Sequence, residues 1–142
     1  MSTVRRIYQG GMALLPFENL LRQQEILECH LSLVALREGI GCRDHLARLA
    51  RVLILANELC GNGFWKDALP VLVAGQDAIL AVQAAGEAGQ GWSAQANVLW
   101  RPLGALIELY DTQLEYVPRH HVVKAFDAVG VPMPRAELPL AA

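Results

Sequence analysis

Residues 43–63 read RDHLARLARVLILANELCGNG, and the fold follows from this stretch. Leu46, Leu49, Ala50, Leu53, Ala56 and Cys60 recur at three- and four-residue spacing, and Val52, Ile54 and Leu55 widen the apolar surface. The segment from Arg43 to about Cys60 therefore reads as a helix that is apolar around much of its circumference, which belongs at the centre of a helical domain. Asp44 precedes Arg48 by one turn, a favourable order of acid and base, and Gly61-Asn62-Gly63 is a strong stop.

Working outward, Gly39-Ile40-Gly41 supplies the turn of an αα-hairpin. The partner helix begins at Pro16, whose fixed φ suits a first turn, and runs to Gly39. Phe17, Leu20, Gln24, Leu27, Leu31 and Val34 recur along it at three- and four-residue spacing, and Ile26, Leu33 and Leu36 lie on the opposite flank, so the helix is expected to meet neighbours on two sides. A third helix is expected from about Phe64 to Ala85, with Leu69, Leu72, Val73, Gln76, Ile79, Leu80 and Gln83 on one face and Pro70 near its first turn. Residues 86–91 contain three glycines, but no strand precedes them and no lysine follows, so they read as a linker and not a phosphate loop.

Leu99, Leu103, Leu106, Ile107, Tyr110 and Leu114 mark a fourth helix ending near Tyr116, with Glu108, Asp111, Thr112 and Glu115 on its wet side. Pro118 opens a short fifth helix that turns Val122, Val123, Phe126 and Val129 inward and ends at Gly130. No alternating strand pattern and no internal repeat occurs. The expectation is an all-α antiparallel bundle of four main helices plus a short C-terminal helix in one domain over 1–142. Its ordered part covers about 12–130, with loose arms at 1–11 and 131–142, where Pro132, Pro134 and Pro139 preclude a helix.

Composition narrows the function. The chain has 142 residues, 54% hydrophobic and only 18% charged, against about 25% charged in ordinary soluble domains, which excludes a disordered chain. Its longest unbroken apolar stretches, Val52 to Ala56 and Ala68 to Gly75, fall short of the roughly 18 residues a bilayer span needs. Arg5-Arg6 with the neutral stretch from Gly10 to Phe17 is interrupted by Pro16 and followed by Glu18, so it does not read as an export signal. A net charge of -2 provides no positive field for nucleic acid. Three cysteines, Cys29, Cys42 and Cys60, are an odd number and point to reduced thiols in a cytoplasm.

No motif carries a complete chemistry. Cys42 and His45 stand as C-x-x-H, half of a zinc set; Cys29-His30 and His120-His121 are adjacent pairs whose side chains diverge by about 100° on a helix. The same divergence denies Cys29-His30 the geometry of a nucleophile and its base. No metal, cofactor or catalytic residue is assigned. Arg43, Arg48 and Arg51 follow a glycine turn as in a helix-turn-helix, the basis of an alternative DNA-binding reading. Against it, their helix is too apolar to offer a groove-reading face, and pairing with Asp44, Glu38 or Glu58 explains the arginines more simply. Asn57, Gln24, Gln76 and Gln113 lie on or beside apolar faces and suggest an interhelical amide network, or else a polar ligand pocket within the bundle.

His30-Leu31-Ser32-Leu33 with Leu36-Arg37-Glu38-Gly39, then Asn57-Glu58-Leu59, Gln76-Asp77-Ala78 and Tyr110-Asp111-Thr112-Gln113-Leu114-Glu115, together resemble a loose group of small helical proteins of unknown function. That group is encoded on phages, plasmids and other mobile elements of proteobacteria. The resemblance covers roughly residues 28–129 and departs from the pattern at Leu99 to Pro102, where Trp100 and Pro102 replace a more regular helix start. It implies an all-α domain with no established activity and brings no catalytic residues.

The resulting expectation is a small non-catalytic cytoplasmic protein that binds another protein, as an inhibitor or accessory factor, without nucleic acid or membrane. Trp65, Trp92, Trp100 and Tyr116 are the candidate interface anchors, since aromatics dominate interface energies. The apolar excess suggests a homodimer, because a monomer would expose more apolar surface than is usual.

Overall fold

The computed structural model describes residues 19–61 and 65–133. Five helices follow one another: α1 (Asn19–Arg37), α2 (Arg43–Gly61), α3 (Leu69–Glu87), α4 (Asn97–Tyr116) and α5 (Arg119–Val129), with a 3-10 turn at Lys66–Ala68 leading into α3. Among the described residues there is no strand, and the expected all-α bundle of four long helices and a short fifth is present. The expected helix start at Pro16 and Phe17, the arm at 1–11 and the arm beyond residue 133 lie outside the described residues.

Local chemistry sets the helix ends. Gly39 takes a left-handed φ of 79° that costs a residue with a Cβ, and Ile40 N–H then reaches back to Ala35 C=O at 3.0 Å, closing α1. At the start of α2, the Cys42 backbone N–H donates to His45 Nδ1 at 3.0 Å, while His45 and Leu46 N–H bond to Cys42 C=O. The C-x-x-H pair is therefore a capping arrangement, with a ring nitrogen doing what a glutamate does in a capping box. Pro70 sits in the first turn of α3, and Pro102 lies one turn and a half into α4 without ending it.

The helix α2 packs against all four others, and α4 packs against α1, α2 and α3. The pair α2–α4 is thus the centre, with α1 on one flank and α3 on the other. The core is built on Leu49, Val52, Leu55 and Leu59 of α2, Leu103, Leu106, Ile107, Tyr110 and Leu114 of α4, and Phe126 of α5.

The expected apolar faces of α1 and α3 are covered only in part. On α1 the buried set is Leu21, Glu25, Ile26, Cys29, Ser32, Leu33 and Leu36, whereas Leu20, Leu27, Leu31 and Val34 are more than half exposed. On α3, Leu72, Gly75, Ala78, Ile79 and Val82 are buried, while Leu69, Val73 and Leu80 point to solvent with Gln76 and Gln83. By length and composition alone α3 is the one described helix apolar enough to cross a membrane, yet its buried face packs on α2 and α4. The amide network is corrected too: Asn57 and Gln76 are exposed and Gln24 is partly so, leaving Gln113 alone inside. Gln113 Nε2 bonds to Ala56 C=O at 3.1 Å and to Cys60 Sγ at 3.2 Å, tying α4 to α2.

One end of the bundle is locked by Trp92. Its ring lies flat on Gly86, where any Cβ would collide with it, its backbone bridges to Gly41, and the Arg43 guanidinium sits 5.4 Å from its centroid. Gly104 differs: a methyl group placed there would lie 3.8 Å from Leu33 Cδ2, an ordinary contact distance. Alanine within a helix gains about 1 kcal/mol over glycine unless sterics intervene. In urea denaturation Gly104→Ala should therefore stabilise the protein by roughly 0.5–1 kcal/mol, and Gly86→Ala should destabilise it despite the same propensity gain.

Candidate functional site

The polar residues inside the bundle define its most distinctive joint. Glu25 is on the core side of α1 and only 3% exposed. A carboxylate costs several kcal/mol to desolvate unless it is paired and hydrogen-bonded. Here Arg51 Nη2 of α2 donates to Glu25 Oε1 at 2.7 Å, and Tyr110 OH of α4 donates to the same oxygen at 3.3 Å. One turn further along α1, Glu28 pairs with Arg48 at 2.7 Å. On the other edge of α1, Arg22 meets Asp111 at 3.4 Å and Glu115 at 3.2 Å, so part of the expected wet acidic face of α4 is an interhelical contact.

These pairs place the sequence candidates. Arg48 and Arg51 are tied to Glu28 and Glu25 of α1, and not to the expected Asp44, Glu38 or Glu58. Arg43 alone of the three has no carboxylate within 4 Å among the described residues, resting instead by Trp92. Cys29, one turn from Glu25, is fully buried; burial first, and then the Glu25 carboxylate, push its thiol up to about 12. The same two causes hold the Tyr110 phenol well above its ordinary value. Both stay protonated at neutral pH, so Tyr110 is a fixed donor and Cys29 is no nucleophile. Among the described residues no three His, Cys, Asp or Glu side chains come together as a metal set. The cluster is a joint between three helices.

What the joint does is set the rotation of α1. With Glu25, Cys29, Ser32 and Leu36 turned inward, the opposite side presents Leu20 (55% exposed), Leu27 (59%), Leu31 (59%) and Val34 (51%), with Gln24 between the first two. The order 20, 24, 27, 31, 34 alternates steps of four and three, which is the a/d seam of a coiled coil rather than the broader stripe of a core-facing helix. No residue of that seam is charged. The ion pairs 25–51 and 28–48 fix an antiparallel register with α2 that sets the exposed Ile54 at the height of Leu20 and Gln24.

The aromatic candidates are divided. Trp92 and Trp100 are engaged locally, Trp100 with the Arg37 guanidinium 3.9 Å over its ring and its Nε1 donating to Asn97 at 2.9 Å. Trp65 holds a left-handed φ of 62° and lies 6.4 Å from Tyr116, which is 66% exposed. A shallow groove of about 210 Å³ between α2 and α3 is lined by Leu46, Ala50, Ile79 and Trp92, with Arg43 and Glu87 of opposite charge on it. Sequence reasoning missed Glu25 and saw Tyr110 only as part of an apolar stripe, not as its hydrogen-bond donor; the signal for the seam was its strict four-three spacing without a charge.

Removing one partner of a buried pair is strongly destabilising. Glu25→Ala should cost on the order of 3 kcal/mol in urea denaturation, and Arg51→Met in the same chain should recover most of it. The more exposed Glu28–Arg48 pair should show a coupling below about 1 kcal/mol in the equivalent cycle. Stability should also fall on the alkaline side. Because Cys29 and Tyr110 hold their protons more tightly folded than unfolded, their contribution is full below the ordinary thiol and phenol values and is lost as pH rises above them, for Cys29 toward about 12. Unfolding free energy followed from pH 8 to 11 should drop, and the Cys29→Ala and Tyr110→Phe variants should each drop less steeply. These tests concern the chain itself, since no family model, curated protein or solved structure matches it.

Proposed function

We propose that this protein acts without catalysis, by binding another protein through the outer face of α1. The carrying observation is the uncharged seam Leu20, Leu27, Leu31 and Val34, left more than half exposed on a helix whose other side is already buried. Covering it would add roughly 1 kcal/mol for each half-exposed side chain, about 4 kcal/mol in all, before the costs of association. A seam with alternating four-three steps accepts a helix laid along it. Tyr116, 66% exposed beside Trp65, is the exposed aromatic among the candidate anchors.

In this reading the protein is an inhibitor or accessory factor of the kind encoded by phages and other mobile elements, working by occupying a partner's surface. It operates in a cytoplasm, in keeping with Cys29, Cys42 and Cys60 as thiols. DNA has little to hold on this helix pair, because Arg48 and Arg51 are engaged with α1.

A photo-crosslinking residue at Leu31 tests the reading in cells producing the protein. Adducts to protein are expected from positions 31 and 27, well above the level from the exposed position Asp77 of α3. Equal or absent adducts at all three positions would contradict it.

A further inference from the structure

We propose that the partner of the α1 seam is a second copy of this chain, the two seams packing against each other about a two-fold axis near Leu27. This rests on the protein-binding reading of the same face and names its occupant.

Three observations select an identical helix. The first is geometric: steps of four, three, four and three from Leu20 to Val34 keep the seam along one line, so two such helices crossing at about 20° interlock knobs into holes along their length. Leu27 is the midpoint of that line, so a two-fold axis beside it runs the two helices antiparallel.

The second is electrostatic. A face that meets its own copy meets every one of its own charges, so an unbalanced face repels itself. From Leu20 to Val34 the seam has none; beside it Glu28 is paired with Arg48 at 2.7 Å and Arg37 lies 3.9 Å over the Trp100 ring, and Glu38 takes the next place along the line, past the helix end. On the remaining edge stand Gln23 and His30, which are polar and exposed. The exposed face of α3 lacks this character, since Gln76 and Gln83 lie in it with Asp77 and Glu87 beside them.

The third is area. A 19-residue helix is about 28 Å long, and half the circumference of a cylinder of 10–12 Å is about 17 Å. Two copies would cover on the order of 1,000 Å² together, which is the lower bound for a specific interface. The dimer should accordingly be reversible, in the micromolar range, and sensitive to single changes in the seam.

The test is mass measured by sedimentation equilibrium from about 1 to 200 μM, the range where so small an interface would dissociate and form. The intact chain should move from 15.5 kDa toward twice that mass with concentration. Leu27→Glu with Leu31→Glu should weaken association at least 100-fold and keep the helical circular dichroism and melting of the original, whereas Val73→Glu with Leu80→Glu on α3 should associate unchanged. With Cys42→Ser and Cys60→Ser in place, Leu27→Cys should oxidise to a disulfide-linked pair, and Asp77→Cys should not. A monomer at every concentration, or a dimer indifferent to the α1 changes, overturns the proposal. If that monomer still gives Leu31 adducts to other proteins, self-association fails alone; if it gives none, protein binding through this face fails with it.

Discussion

A single buried carboxylate governs the arrangement. Glu25 is inside because Arg51 and Tyr110 come to it from two other helices, and those helices are the central pair of the bundle. Turning α1 by 100° or more about its axis would expose Glu25 to water but strand Arg51 and the Tyr110 hydroxyl among apolar neighbours. In the observed orientation Glu25 Oε1 accepts from both Arg51 Nη2 and Tyr110 OH, although Arg51 Nε stays buried without a partner. The joint therefore acts as a rotational key: hydrophobic burial alone would be nearly as well served by the face bearing Leu20, Leu27, Leu31 and Val34, and the polar contacts exclude that solution.

The outward seam is a consequence of that key. A helix with two apolar sides can bury one within its own bundle and retain the other for association, and α1 has both. Beside the strip, Glu28 is engaged with Arg48 and Arg37 with the Trp100 ring, both contacts made inside the chain. The contacts that hold α1 in the bundle thus also decide which of its faces is left outside. At the opposite flank α3 also exposes leucine and valine, but glutamines break its face, and its small residues Gly75 and Ala78 are used for close approach to α4 and the core.

Much of the fold was legible in the sequence. The central position of α2, the inward set of α4 from Leu103 to Leu114, and the ends of α5 at Pro118 and Gly130 follow from spacing and from residues with fixed backbone habits. The rotations of α1 and α3 were not legible, because periodicity gives the period of a stripe and not which of two stripes is inside. On α1 the polarity pattern misleads outright: the buried side carries Glu25 and Ser32, and the exposed side reads as leucine at heptad positions. The partner of Glu25 lies 26 residues away and Tyr110 lies 85 away, separations at which local spacing says nothing. The arginines of α2 are visible as a cluster, but their partners on α1 depend on the same unseen rotation. Cys42 and His45 resemble half a metal site because the same lone pair on a ring nitrogen three residues along can accept a capping hydrogen bond or ligate a metal.

The most direct measurement of the central claim is hydroxyl-radical footprinting of α1 read by mass spectrometry, in dilute and in concentrated protein. The account predicts that Leu27 and Leu31 are labelled in dilute protein and protected on concentration, while Leu33 and Leu36 stay unlabelled in both. Protection of Leu27 and Leu31 already in dilute protein, with Leu36 labelled, would mean that α1 is turned the other way and that Glu25 does not set its rotation.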